Sequence, residues 1–155
     1  MENGYIRRRM EELLLEASKY FSVISVTGPR QSGKSTILKN LFPNAITYSL
    51  KDVNVREFAL NDPRAFLNQT KELMFIDEAQ KVPQLFEYIQ GIVDNNPCRK
   101  FLLSGSSNFE LMNSLSESLA GRAGVYELMP MSLSETYNES ASKPMDDFLY
   151  DGLYP

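Results

Sequence analysis

Gly28-Pro29-Arg30-Gln31-Ser32-Gly33-Lys34-Ser35 decides the reading of this chain. It fits G-x-x-x-x-G-K-[ST], the pattern of a loop that wraps phosphate groups. Gly28 and Gly33 let the backbone turn where a β-carbon would block it. The loop's N–H groups converge on phosphate oxygens, and Lys34 adds positive charge beside the β- and γ-phosphates. The Ser35 hydroxyl suits magnesium, and a helix opening here points the positive end of its dipole at the same phosphates. Gly28, Pro29, Arg30, Gln31, Ser32, Gly33, Lys34, Ser35 and Thr36 are therefore the candidate nucleotide-binding set. At average composition the fixed positions coincide in roughly one chain of this length in 200. A serine-rich turn capping a helix is the bland alternative. The flanks decide against it. A β-branched strand-like run leads in from Phe21, and Ser35 to Leu41 reads as a helix.

Working outward, Leu73-Met74-Phe75-Ile76 is a continuous apolar run that ends in Asp77 and Glu78. Such a run suits a strand buried on both faces. An acid at its end is the Walker B pattern, with Asp77 placed for magnesium and Glu78 able to take a proton from attacking water. Alone, this would be a surface turn after a core strand; the phosphate loop upstream changes its meaning. Phe101-Leu102-Leu103 is another buried strand, opening at Ser104 into a polar loop that reaches Asn108. Ser104, and next Asn108, could position water or report the γ-phosphate, because ligand clefts of open parallel sheets lie at the C-terminal strand ends. Arg122, just before a fifth strand at 123–128, could reach a γ-phosphate as an arginine finger or simply end its helix favourably. Arg7, Arg8 and Arg9 read as a solvated face, with contact to the base or phosphates as the lesser alternative, and Cys98 as an inert, half-buried residue.

The remaining elements follow the same alternation. Residues 5–19 show amphipathic helical spacing; Ala45–Leu50 is strand-like; helices are expected over 53–60, from Asp62-Pro63 to Gln69, over 83–93 and over 109–120. Strands alternating with helices imply a mainly parallel sheet covered on both faces. The organisation is an N-terminal amphipathic helix over 1–20 packed on a core over 21–130, then the start of a C-terminal region over 131–155. That last region has weak periodicity and ends at a turn, so it is expected to be cut short.

Composition narrows the chemistry. The 155 residues are enough for one domain that buries about 70% of its unfolded surface. One cysteine excludes a disulfide framework, and the absence of histidine excludes Ser-His-Asp and Cys-His catalysis and every histidine metal site. A base must be a carboxylate, a lysine or a tyrosine. With 16 basic and 20 acidic residues, the net charge of -4 gives no basic footprint, so direct nucleic-acid binding by this domain alone is not expected. No apolar run approaches a membrane span, and a reducing, cytoplasmic setting is expected.

Together, 28–35, Phe75-Ile76-Asp77-Glu78-Ala79-Gln80, Leu103-Ser104-Gly105-Ser106-Ser107-Asn108, Ser118-Leu119-Ala120-Gly121-Arg122 and the later Leu128–Glu135 resemble the prokaryotic AAA-domain ATPases that carry a C-terminal domain of unknown function. The resemblance covers about residues 5 to 155. Ser35 and Ser104 stand where threonine is frequent in that family, and both keep the hydroxyl. It implies a three-layer α/β P-loop NTPase fold, with a mainly parallel five-stranded sheet in AAA-type order 5-1-4-3-2 and helices on both faces. It also implies ATP as the nucleotide, with magnesium, and a natural chain that continues past Pro155. Arg122 lies where such domains often place a finger that acts in trans, so a homo-oligomer is the implied partner state. The combined expectation is an ATPase in which Lys34 neutralises phosphate charge, Ser35 and Asp77 hold magnesium, Glu78 activates water, Ser104 orients it and Arg122 completes the site. Hydrolysis would drive a conformational change in an attached C-terminal domain. A nucleotide-gated binding module with negligible turnover and a small-molecule phosphotransferase are the alternatives. The later arginines, Arg56, Arg64, Arg99 and Arg122, are too scattered for a kinase lid, and no Asn-Lys-x-Asp guanine-reading motif is present.

Overall fold

Every second residue along a strand faces the same side, and the central strands of this chain are apolar on both. In the computed structural model, which describes residues 5–106, 109–132 and 135, β1 (Val23–Gly28) and β3 (Met74–Asp77) are buried throughout, and β4 (Phe101–Ser106) to its penultimate residue. Val23, Met74, Ile76, Phe101 and Leu103 pack against one set of helices, while Ile24, Val26, Phe75 and Leu102 pack against the other. Period two thus divides the core into two apolar layers with the sheet between them.

The edges are β2 (Ile46–Ser49) and β5 (Ala123–Glu127), and the order is β2-β3-β4-β1-β5 with every neighbouring pair parallel. Read from the other edge, this is the expected 5-1-4-3-2. One face carries α3 (Val53–Asn61), α4 (Pro63–Leu67), α5 (Leu85–Asn95) and α6 (Phe109–Ser118), through buried residues such as Ala59, Phe66, Phe86, Ile89 and Leu115. The other carries α1 (Met10–Tyr20) and α2 (Lys34–Leu41), through Leu14, Ala17, Ile37 and Leu38. Two of the helices, α3 and α4, start where side chains satisfy free N–H groups. Asp52 accepts from the amides of Asn54 and Val55, and Asp62 accepts from that of Ala65 with Pro63 in the first turn.

Several boundaries differ from the sequence expectation, each for a local reason. The first helix begins at Met10 rather than near residue 5. The Glu11 carboxylate takes the Arg8 N–H at 2.7 Å and the Tyr5 hydroxyl at 2.8 Å, which ties the preceding chain back on itself. β4 does not stop at Leu103. Ser104, Gly105 and Ser106 continue the ladder against Val26, Thr27 and Gly28, since backbone pairing needs no apolar side chain. A short 3₁₀ turn, Ala79–Lys81, precedes α5, which begins at Leu85 rather than Pro83. Cys98 is exposed, not half-buried. Asn108 and most of the 131–155 region lie outside the described residues.

Phe66 anchors the first layer. It is fully buried and meets Tyr48 and Phe58 edge-on, with ring centroids 5.4 and 5.9 Å away. Phe66→Ala should lower unfolding free energy by about 3–5 kcal/mol, the range for removing a buried aromatic ring. Urea denaturation followed by circular dichroism checks this; a loss under about 1 kcal/mol would contradict it.

Candidate nucleotide-binding site

Parallel pairing brings the C-terminal ends of β1, β4 and β3 to one edge of the sheet, in that spatial order. From β1 the chain crosses to β2 at the far edge, and the loop that starts this crossing is 28–33. That reversal leaves a crevice outside the strand ends. The loop's geometry demands its glycines. Gly33 (φ 90°) opens α2 from the left-handed region, and Gln31 shares that region at φ 60°. At Gly28 (φ 147°) a β-carbon would lie 2.2 Å from the Leu128 carbonyl oxygen.

Lys34 is buried, and its ammonium donates to the carbonyls of Gly28 at 3.0 Å and Pro29 at 2.5 Å. Burial pulls its pKa down and the nearby charge of Lys51 does the same, while Glu78 and Asp77 oppose them. Asp77, the last residue of β3, is the meeting point of two other elements. Its Oδ1 accepts the Ser35 hydroxyl from the first turn of α2 at 2.6 Å and the Ser104 hydroxyl from β4 at 2.5 Å. Ser104 is 1% exposed. The sequence reading turned it towards water or the γ-phosphate; the fold commits its hydroxyl to the Asp77 carboxylate.

Glu78 follows Asp77 in the left-handed region (φ 59°, ψ 43°), a conformation that costs a non-glycine residue on the order of 1 kcal/mol or more. This turn directs its carboxylate away from the strand and into the cleft over the loop, which has a volume of about 450 Å³. The Gln80 amide donates to Glu78 Oε2 at 2.6 Å, and Lys51 stands 3.6 Å from Glu78 and 3.9 Å from Asp77. Four cations, Arg30, Lys34, Lys51 and Lys81, line this cleft with Glu78. Beside it lies an apolar cavity of about 230 Å³ walled by Tyr5, Ile6, Ile37 and Met131 and sharing Gly33 and Thr36 with the cleft.

Arg122 is not part of this assembly within one chain. It precedes β5, whose Ala123 pairs with Val23 at the start of β1. That puts it roughly 20 Å along the strand direction from Gly28, further than one side chain spans. Its Nε and Nη2 donate to Asp94 Oδ1 at 2.5 Å and Oδ2 at 2.9 Å. This bond raises the arginine's pKa and lowers that of Asp94. Lys51, Gln80 and Arg8 are the site residues that sequence reasoning missed. The first two carried a usable signal, since Lys51 ends the second strand-like run and Gln80 lies two residues past the acid pair. Arg8 was assigned to a solvated face, yet it is buried and its guanidinium holds the Ser32 carbonyl at 2.9 Å.

The donors suit a hard cation. Ser35 and Asp77 bring a hydroxyl and a carboxylate together, the oxygen ligands that magnesium takes alongside phosphate and water. Among the described residues no cluster of three or more acidic, cysteine or histidine ligands exists, so an all-protein metal cage is not built here.

Comparison with known proteins agrees with this geometry. A family model described as an AAA domain matches residues 20–137. Uncharacterized proteins of Mycobacterium tuberculosis and Mycobacterium bovis are each 34% identical over 140 residues, covering 88% of this chain and 32% of theirs. The chain therefore spans about a third of the length of the curated relatives it matches. Among solved structures, the Walker-type ATPase of Pyrococcus abyssi superposes with a TM-score of 0.60 at 19% identity, covering 84% of this chain and 55% of that one. A RuvB variant of Thermotoga maritima gives 0.55 at 20% identity, covering 82% and 45%. These likenesses establish the P-loop fold.

Gly28→Ala should fold less stably, by about 1–3 kcal/mol, because the added methyl must displace the Leu128 carbonyl. It should also weaken nucleotide binding, since the loop must shift to make room. Urea denaturation and a nucleotide titration on the same sample check both. Unchanged stability would mean that Leu128 moves freely and does not fix the loop.

Proposed function

The chain belongs to the AAA-domain family, and from that premise we propose that it binds MgATP and hydrolyses the bond to the γ-phosphate. The observation that carries this reading is the convergence of Ser35 on Asp77 at 2.6 Å, beside the ammonium of Lys34 and the carboxylate of Glu78. Two chain segments 42 residues apart have to meet for this to arise, and phosphoryl transfer needs the same kinds of group in one place.

The roles follow from chemistry. The loop amides and Lys34 would bind the phosphates, with the ammonium leaving the Gly28 and Pro29 carbonyls for phosphate oxygens. Ser35 and Asp77 would hold magnesium, which when bound neutralises charge on the phosphate oxygens. Ser104 would act as a positioning residue, fixing the carboxylate of Asp77. Glu78 would hold the attacking water and take its proton, with Gln80 and Lys51 keeping its carboxylate turned into the cleft. The apolar cavity beside Gly33 and Thr36 suits the adenine ring, which needs a flat, water-excluding wall. Release of the γ-phosphate would change the loop and the elements bound to it, and so move whatever the chain is attached to. Among the described residues no helix is long and apolar enough to cross a membrane.

Arg122 fits this scheme only in trans. Its distance from Gly28 favours a neighbouring subunit's nucleotide over its own, since its place at the opposite end of the sheet can face such a neighbour. The Asp94 pair would then have to open or be shared at the interface.

Two sets of measurements test the reading. Lys34→Ala should abolish tight MgATP binding in calorimetry with the fold intact, and equal affinity would remove the P-loop assignment. Glu78→Gln should retain binding and lose about 10²–10⁴-fold in single-turnover hydrolysis; a wild-type rate would place the base elsewhere.

For Arg122, activity per subunit should rise with protein concentration, and Arg122→Ala should erase that rise at nearly unchanged ATP affinity. A finger contributes roughly 10³–10⁵ in rate. Mixing Arg122→Ala with Glu78→Gln subunits should restore part of the activity, because each supplies what the other lacks. A mixed oligomer that stays inactive would end the trans assignment.

A further inference from the structure

The triplet Arg7-Arg8-Arg9 divides in the fold. Arg7 and Arg9 are exposed, whereas Arg8 is buried and its guanidinium reaches three separate stretches of chain. Nη1 donates to the Ser32 carbonyl inside the phosphate loop at 2.9 Å, and Nη2 to the Met129 carbonyl at 2.7 Å. Nε donates to Glu135 Oε1 at 3.3 Å. Glu135 closes the set. Its Oε1 also accepts the Arg9 backbone N–H at 2.9 Å, and its Oε2 accepts the N–H and hydroxyl of Ser132 at 2.8 and 3.1 Å. Burial pushes the Glu135 carboxyl up, but the N–H groups of Ser132 and Arg9 and the charge of Arg8 outweigh it and hold it down to about 2. It is therefore ionised at neutral pH.

The two side chains are only 6% and 10% exposed, so this is not a solvated surface pair. A buried ion pair is a poor way to gain stability, because desolvation offsets most of the attraction. It is a good way to set one register between segments that apolar packing would allow to slide. Here the segments are the phosphate loop, the chain before α1, and Leu128–Ser132 after β5. The last lies directly against the loop. The Leu128 N–H donates to the Thr27 carbonyl at 2.8 Å, and the Leu128 carbonyl occupies the space a Gly28 β-carbon would need. Met131 and Arg8 both line the apolar cavity beside Gly33.

We propose that the Arg8–Glu135 pair is a positioning clamp that couples nucleotide occupancy of the phosphate loop to the segment Leu128–Ser132, through which the chain leaves the sheet. This rests on the nucleotide-binding reading above. Any ligand that orders the loop or the cavity then also favours one placement of Leu128–Ser132. By thermodynamic reciprocity, freeing that segment weakens the ligand by the same factor. Arg8 and Glu135 act through the carbonyls of Ser32 and Met129 and through Ser132.

Amide hydrogen exchange with and without saturating MgADP tests this on wild type, Arg8→Lys and Glu135→Gln. Arg8→Lys keeps the charge and loses the planar fork, and Glu135→Gln keeps the shape and loses the charge. In wild type, MgADP should slow exchange over both 28–36 and 128–132. In each variant the response over 128–132 should vanish while that over 28–36 persists at saturation, and the MgADP dissociation constant should rise about tenfold, within the usual span of coupling energies. A purely structural pair would lower the nucleotide-free melting temperature and leave the response over 128–132 in place, which would overturn the proposal. So would a wild-type response confined to 28–36. Absence of any response over 28–36 would remove the nucleotide-binding reading along with it. Should one variant fail to fold, the wild type and the other variant still decide.

Discussion

Asp77 Oδ1 receives two hydroxyls, from Ser35 on α2 and from Ser104 on β4, and the phosphate end of the molecule is organised around that oxygen. The arrangement needs β3, β4 and β1 to end at one level, which parallel pairing in register provides. It also needs the buried carboxylate to be hydrogen-bonded, which the two hydroxyl donors provide. A carboxylate so held cannot swing, and any cation it takes is located before a nucleotide arrives. The loop, the helix and the sheet are therefore one unit rather than a flexible loop on a rigid base.

The neighbouring acid has the opposite character. Glu78 leaves the strand through the left-handed region, so its carboxylate is free of the sheet and held only by the Gln80 amide and the exposed Lys51. Two adjacent carboxylates with similar intrinsic chemistry are thereby given different mobility. One is fixed by buried hydroxyls and suits ligation; the other is tethered at the cleft wall and suits proton transfer. Backbone geometry makes this division, since a helical or extended Glu78 would place its side chain elsewhere.

How much of this was legible in the sequence follows from the range of each interaction. The helix layers and the convergence of the loop with Asp77 rest on patterns that repeat locally: apolar runs, a glycine-bounded loop, an acid at a strand end; the strand order came only from the family resemblance. Asp52 and Asp62 cap their helices, as their positions before helical runs imply. Ser104 was singled out for its place after a buried strand, but its partner was not legible, because hydrogen-bond direction depends on a side chain 27 residues away. Arg8 was read mainly as part of a solvated face, with contact to the base or phosphates as the lesser reading. Three arginines in a row look solvated, and only the approach of Ser32, Met129 and Glu135, at separations of 24, 121 and 127 residues, selects the middle one for burial. Cys98 shows the reverse error, a residue type that is usually buried placed on an exposed turn.

Net charge illustrates the same limit. A value of -4 describes the far field and argues against a polyanion wrapping the surface. It says nothing of a cleft into which Arg30 and Lys34 of the loop, Lys51 after β2 and Lys81 of the 3₁₀ turn are gathered. Inside that cleft low-dielectric walls focus the field, and burial already strains the protonated state of Lys34, whose pKa is pulled down. An incoming phosphate would relieve that strain by replacing the Gly28 and Pro29 carbonyl dipoles with a full negative charge. The lysine that is least comfortable alone is thus the one whose charge gains most from the ligand.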